Sequence, residues 1–151
     1  MPIGDLALHV VESGPAEGRP FLFPHGRPES WRTWLGVMTA AGGEARTIAV
    51  DLPGIGGSSG AVEGGSKRRP AEVVQALVRR LGLTGTTLVG HDAGGMAAYA
   101  YLRRFAAEGF RATGVRDLTT AVVADAGHFA QEEQPAAVWA LLRDFAAAPA
   151  A

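Results

Sequence analysis

The sequence predicts an α/β fold, with a mostly parallel sheet of about five strands flanked by four helices. Short apolar runs at Pro20–Phe23, Arg46–Val50, Thr86–Gly90 and Thr119–Ala124 alternate with segments of helical apolar spacing. Strands apolar on both faces belong to a parallel sheet covered on both sides. The length of 151 residues fits one domain, 1–151, which can bury about 68–70 % of its unfolded surface. The conspicuous short motifs all fall at the carboxyl ends of these strands, where sites in such sheets sit.

Leu6–Glu12 alternates loosely and reads as an edge strand. Pro20–Phe23 is a short buried strand ending at Pro24-His25-Gly26. A first helix runs from about Glu29 to Ala41, with Trp31, Trp34, Leu35 and Met38 on one face at i, i+3, i+4 and i+7. Arg46–Val50 is the second buried strand, followed by Asp51-Leu52-Pro53-Gly54 and a polar Gly/Ser loop over Ile55–Arg69. Pro70 opens the second helix, with Val73, Val74, Leu77, Val78 and Leu81 inward and Gly82 as its stop. Thr86–Gly90 is the third strand and runs straight into a third helix from Gly94 towards Ala107. Thr119–Ala124 is the fourth buried strand. Pro135 opens the last helix, with Val138, Leu141, Leu142 and Phe145 on one face.

The balance of 14 Lys+Arg against 15 Asp+Glu argues against a nucleic-acid binder, which needs a basic excess. No apolar run approaches the ~20 residues that span a bilayer, and no basic-then-apolar leader is present, so no membrane partner is expected. Cysteine is absent, which excludes disulfides and thiolate metal sites; no metal or cofactor is expected. Cytoplasmic location is the default reading, although a chain without cysteine is also compatible with export. Glycine, 21 of 151 residues, is about twice its usual ~7 %. Arg outnumbers Lys thirteen to one and Asn is missing, which is codon bias rather than function.

The third strand leads into Gly90-His91-Asp92-Ala93-Gly94-Gly95 and then a helix. This is the strand–turn–helix context of a nucleophile elbow, in which small residues at Gly90 and Gly94 let strand and helix approach. The nucleophile position holds Asp92. A carboxylate suits attack at a saturated carbon bearing a leaving group and leaves an ester on Asp92 for water to hydrolyse. His128, just past the fourth strand, follows in the right chain order to activate that water. The backbone N–H groups of Ala93 and Arg27 are the candidate oxyanion donors.

The stretches Phe23–Trp31, Asp51–Ser58, Val89–Gly95 and Ala124–Gln134, in that order, resemble the α/β-hydrolase superfamily, closest to its epoxide hydrolase and dehalogenase branch. The resemblance implies Asp92 as nucleophile, His128 as base and Arg27 and Ala93 as oxyanion hole. It also implies a small apolar or epoxide-like substrate. In haloalkane dehalogenases a halide-binding Trp follows the nucleophile; Ala93 stands there instead, which counts against haloalkanes. Family members are far longer, with two further strands, a helical cap and the triad acid between the third helix and the last strand. Here that interval is 107–118, an apparent internal deletion that leaves no room for a cap. Asp92 is therefore expected to be open to solvent.

No triad acid is assignable. Asp117 precedes the fourth strand, at the wrong end of the sheet; Asp125 is near His128 but off the family position; Glu132 and Glu133 read as structural. The cap tyrosines of epoxide-opening relatives have no match in Tyr99 or Tyr101. His25, with Gly26, reads as a brace of the oxyanion loop, His91 as a packed elbow residue and His9 as surface. Trp34 reads as core, whereas Trp31 is a candidate substrate contact. Two classes of function remain: a capless hydrolase, or a catalytically impaired remnant that binds small molecules or another protein. With two strands missing, the fourth strand is expected to pair beside the third, or the open edge to be covered by a second copy in a homodimer.

Overall fold

The computed structural model describes residues 1–60, 68–105 and 120–148. Strands β1 (Pro2–Ile3) and β2 (Leu6–Ala7) form a small antiparallel ribbon. Gly4, at φ 59°, supplies the left-handed residue of its two-residue turn. The four-stranded sheet has the order β3 (Val10–Ser13), β5 (Arg46–Val50), β4 (Pro20–Pro24), β6 (Thr87–Leu88). β3 is antiparallel to β5, whereas β5 and β6 both lie parallel to β4. The single edge strand expected over Leu6–Glu12 is thus divided between the ribbon and β3.

β4 and β5 sort their side chains by the period of two that a pleated strand imposes. Phe21 and Phe23 face one layer and Leu22 the other; Ala49 faces the first, and Ile48 and Val50 the second. The first layer holds α1 (Leu35–Ala40) and α5 (Pro135–Ala147), whose Val37, Met38 and Trp139 are buried. The second holds α2 (Arg68–Arg80) and α3 (Ala93–Phe105), with Val74, Leu77 and Tyr101 buried. The chain leaves β4 for β5 through α1, then crosses back over β4 to β6 through α2. The switch point between β4 and β6 is where such a sheet opens a crevice.

α2 stops as expected at Gly82, which has φ 60°. Gly82 N–H donates to Arg79 O and Leu83 N–H to Val78 O, the paired bonds of a glycine-terminated helix. The first helix departs from expectation. Trp31–Trp34 forms a tight 3₁₀ turn, and α1 begins only at Leu35. Trp34 is core as read, but Leu35 is 47 % exposed and Val37 takes its inward place. In α5 the buried residues are Trp139 and Ala146, not Leu141 and Phe145. α4 (Ala130–Glu133) is a single turn ahead of α5.

The fourth strand is a correction. Among the described residues, 120–124 belongs to no strand, and Val122 is 93 % exposed. Among the described residues β6 therefore pairs only with β4. Thr119 and the 107–118 interval lie outside the described residues. The tail is fixed further along, through Gln131 and α5 on the α1 face, so its docking does not require a ladder at 120–124. Gly36 packs against Pro135 at the head of that contact, where a Cβ would stand 2.8 Å from Pro135 Cβ.

Candidate functional site

Asp92 stands between β6 and α3 with φ 48°, a left-handed conformation that costs a non-glycine residue about 1–3 kcal/mol. The approach of α3 to β4 enforces it. A Cβ on Gly94 would lie 2.7 Å from the carbonyl oxygen of His25, and one on Gly90 2.6 Å from Gly94 O. Gly26 completes the close packing, since a Cβ there would meet Asp92 Cβ at 2.8 Å.

This packing sets the Asp92 carboxylate against two main-chain donors. Oδ1 accepts a very short bond from Ala93 N–H and a long one, 3.4 Å, from Arg27 N–H. The Ala93 bond is the main reason its carboxyl lies below the ordinary aspartate value. Slight burial opposes this; the Arg27 bond and the charges of His91 and His128 add to it. Oδ2 is the outward oxygen, 3.9 Å from His128 Nε2, with side-chain exposures of 36 % for Asp92 and 62 % for His128. Among the described residues, both side chains are thus partly open to solvent.

His25 is fully buried. Its Nδ1–H donates to Gly26 O at 2.6 Å and its Nε2 accepts from Leu52 N–H at 3.0 Å, which fixes one tautomer and ties the loop after β4 to the loop after β5. The brace read from sequence is present.

Glu29 is a residue that sequence reasoning missed. Its Oε2 accepts from Gly26 N–H at 2.7 Å and pairs with His91 Nδ1 at 3.0 Å. Oε1 accepts from the Thr33 hydroxyl at 2.7 Å and the Gln131 amide at 3.0 Å. Burial pushes its carboxyl up, but the bonds from His91, Thr33 and Gly26 outweigh it and leave the group below the ordinary value. Glu29 thus joins the loop after β4, the turn ahead of α3 and the C-terminal tail. The available signal was its place three residues after Gly26, where a carboxylate can cap a loop N–H.

Residues 19–118 match the family described as alpha/beta hydrolase fold. The chain belongs to the α/β-hydrolase family. A soluble epoxide hydrolase of Corynebacterium sp. (strain C12) is 36 % identical over 99 residues, covering 66 % of this chain and 34 % of that protein. Epoxide hydrolase 3 of Xenopus tropicalis is 35 % identical over 101 residues, 66 % of this chain and 28 % of its own. Among solved structures, an epoxide hydrolase from Vigna radiata superposes with a TM-score of 0.62 at 28 % identity, covering 68 % of this chain and 34 % of that one. The chain therefore spans about a third of the length of such relatives.

In this α/β-hydrolase the structure brings Asp92, Ala93, Arg27 and His128 together, with His25, Gly26, Gly90 and Gly94 shaping the crevice. Trp31 is not brought in. Its main-chain N–H donates to Asp51 Oδ1 at 2.8 Å, its ring meets His9 edge-on at 6.1 Å, and it does not line the cavity beside Asp92. That cavity, about 750 Å³, runs along α3 past Met96, Tyr99, Ala100 and Arg103. His9, read as surface, keeps a 41 % exposed side chain, and its Nδ1 also lies 2.9 Å from Oδ2 of the buried Asp51.

Among the described residues no carboxylate reaches His128 Nδ1. Glu133 is occupied with Gly127 N–H at 2.8 Å and Phe129 N–H at 3.3 Å, the structural role read for it. Asp125 adopts φ 55° and takes part through its carbonyl, which accepts from the Gln134 amide. Asp117 lies outside the described residues. No group of three or more potential metal ligands converges among the described residues, and no described helix is long and apolar enough to cross a membrane.

Proposed function

We propose that the chain is an epoxide hydrolase-type hydrolase working through a covalent ester on Asp92. The observation that carries this reading is the division of labour within one carboxylate. Oδ1 rests on the Ala93 and Arg27 amides while Oδ2 faces open space and His128 Nε2 at 3.9 Å.

Asp92 Oδ2 attacks an epoxide carbon, its C–O bond breaks, and the resulting alkoxide takes a proton from solvent in this uncovered site. Water then enters between His128 and the ester. His128 Nε2 removes its proton as the oxygen attacks Asp92 Cγ. The negative charge of the tetrahedral intermediate develops on Oδ1, where the two amides already point. Collapse releases the diol, returns the proton, and leaves one solvent oxygen in the Asp92 carboxylate. The sum is epoxide plus water to diol. The same reading assigns small apolar, epoxide-like substrates, a cytoplasmic location and no cap over Asp92.

The test is a stalled turnover. His128→Gln incubated with a reactive epoxide such as styrene oxide should gain the mass of one substrate on Asp92, and Asp92→Ala should gain none. In oxygen-18 water a single wild-type turnover should label the Asp92 carboxylate. No adduct in His128→Gln, together with equal rates for wild type and Asp92→Ala, would refute the reading and leave a binding module.

A further inference from the structure

His91 precedes the proposed nucleophile and was read from sequence as packing. Its hydrogen bonds indicate more. Nδ1 lies 3.0 Å from Glu29 Oε2, and Nε2 lies 2.7 Å from the backbone carbonyl oxygen of His128. The carbonyl can only accept. Glu29 is confined to accepting as well, because its oxygens already take Gly26 N–H, the Thr33 hydroxyl and the Gln131 amide. A carboxyl serving that many donors has no proton to return to Nδ1. Both partners of the ring are acceptors, so both bonds exist together only when both ring nitrogens carry hydrogen, as in imidazolium.

The geometry points to His91 as a positioning residue. In its imidazolium form it clamps the His128 backbone over Asp92, and on losing one proton it lets go. This rests on the reading of His128 as the water-activating base. The side chains are sheltered enough for the bonds to matter, 15 % exposed for His91 and 6 % for Glu29. A neutral ring keeps one N–H. The charge-assisted bond to Glu29 is the stronger, so the bond to the His128 carbonyl is the one given up.

The titratable groups facing the ring are Glu29 from the turn after β4, its neighbour Asp92, and His128, whose ring centre is 4.5 Å away. Glu133 stands behind His128, holding Gly127 and Phe129 N–H. The tail preceding α4 is thus gripped from both sides, by a fixed carboxylate and by a cation that titrates.

The experiment follows the ring and the carbonyl in one sample. In ¹⁵N,¹³C-labelled wild type, the His91 ring nitrogens and the His128 carbonyl carbon are recorded by NMR across pH. Both nitrogens should be protonated at the acid end of the folded range, and the carbonyl shift should move with the same midpoint as the ring. In His91→Gln that midpoint should vanish from the carbonyl titration. Hydrolysis of the Asp92 ester should slow at least about tenfold as the wild-type ring loses its proton, with ester formation unchanged. A ring that is singly protonated throughout the folded range, or a carbonyl that ignores its titration, overturns the clamp. Absence of any ester, with carbonyl and ring still titrating together, overturns the enzymatic reading and upholds the clamp.

Discussion

Replacing Gly94 by alanine tests whether the elbow depends on contact between α3 and β4. The added Cβ would lie 2.7 Å from Pro24 C and His25 O, and closer still to Pro24 O. Reaching an ordinary contact of 3.4 Å means that β4 and the start of α3 part by at least about 0.7 Å, against backbone that cannot rotate away. Overpacking of this kind costs about 1–3 kcal/mol, or roughly 2–12 °C in Tm for a chain of this size. The Arg27 N–H bond to Asp92 Oδ1 is already 3.4 Å and does not survive such a shift. On the mechanism proposed above, loss of the Arg27 donor should slow ester hydrolysis by about 10²–10³. Gly95→Ala is the matched control. Its Cβ would meet nothing nearer than Gly90 O at 3.4 Å, and alanine in place of glycine in a helix gains up to about 1 kcal/mol. Thermal unfolding of both variants, with ester hydrolysis followed by mass spectrometry, decides the matter. A Gly94→Ala protein with wild-type Tm, or equal losses in the two variants, would show that this contact does not set the elbow.

Glu29→Gln should change how stability responds to acid. The folded carboxyl titrates below its ordinary value, so its stabilisation is complete above about pH 4.5 and fades as pH falls through the folded value. The urea midpoint of the variant should therefore lie below wild type at pH 7, and the two curves should draw together as pH falls below about 4.5; a constant difference would contradict this. Trp139→Ala should cost about 3–5 kcal/mol, since the ring is 4 % exposed and meets Phe21 at 5.0 Å. Phe145→Ala, at 61 % exposure, should stay within about 0.5 kcal/mol of wild type. Equal losses in chemical denaturation would restore the α5 face read from the sequence.

What was legible in the sequence is what adjacent residues determine. The apolar runs of β4 and β5, the Gly82 stop of α2, the Pro135 start of α5 and the crowded elbow around Asp92 each follow from a few neighbouring side chains. The α5 face was ambiguous because Arg143 and Asp144 are the only charged residues in Pro135–Ala147. An almost wholly apolar helix offers no polar side to orient it, and Trp139 against Phe21 is a tertiary preference. The strand expected at Thr119–Ala124 failed for a related reason. Apolar composition shows that a segment can be buried, not that a partner edge is within its reach. Glu29, Gln131 and the His9–Asp51 pair were hidden because polar networks are written across the chain, 102 residues apart for Glu29 and Gln131 and 42 for His9 and Asp51.

That long-range stitching bears on the order of assembly. The loop after β4 and the elbow come from residues 24–95, whereas His128 arrives only when Gln131 reaches Glu29 and Thr33 across 102 and 98 residues. Contacts that close loops of such length form late, and a chain leaving the ribosome completes its N-terminal parts first. In the reading proposed above, the reactive carboxylate is in place before the group that clears it. A nascent or truncated chain ending ahead of residue 128 would capture one electrophile and keep it, a scavenger that works once. Docking of the C-terminal tail is then the event that turns a single-use trap into a catalyst.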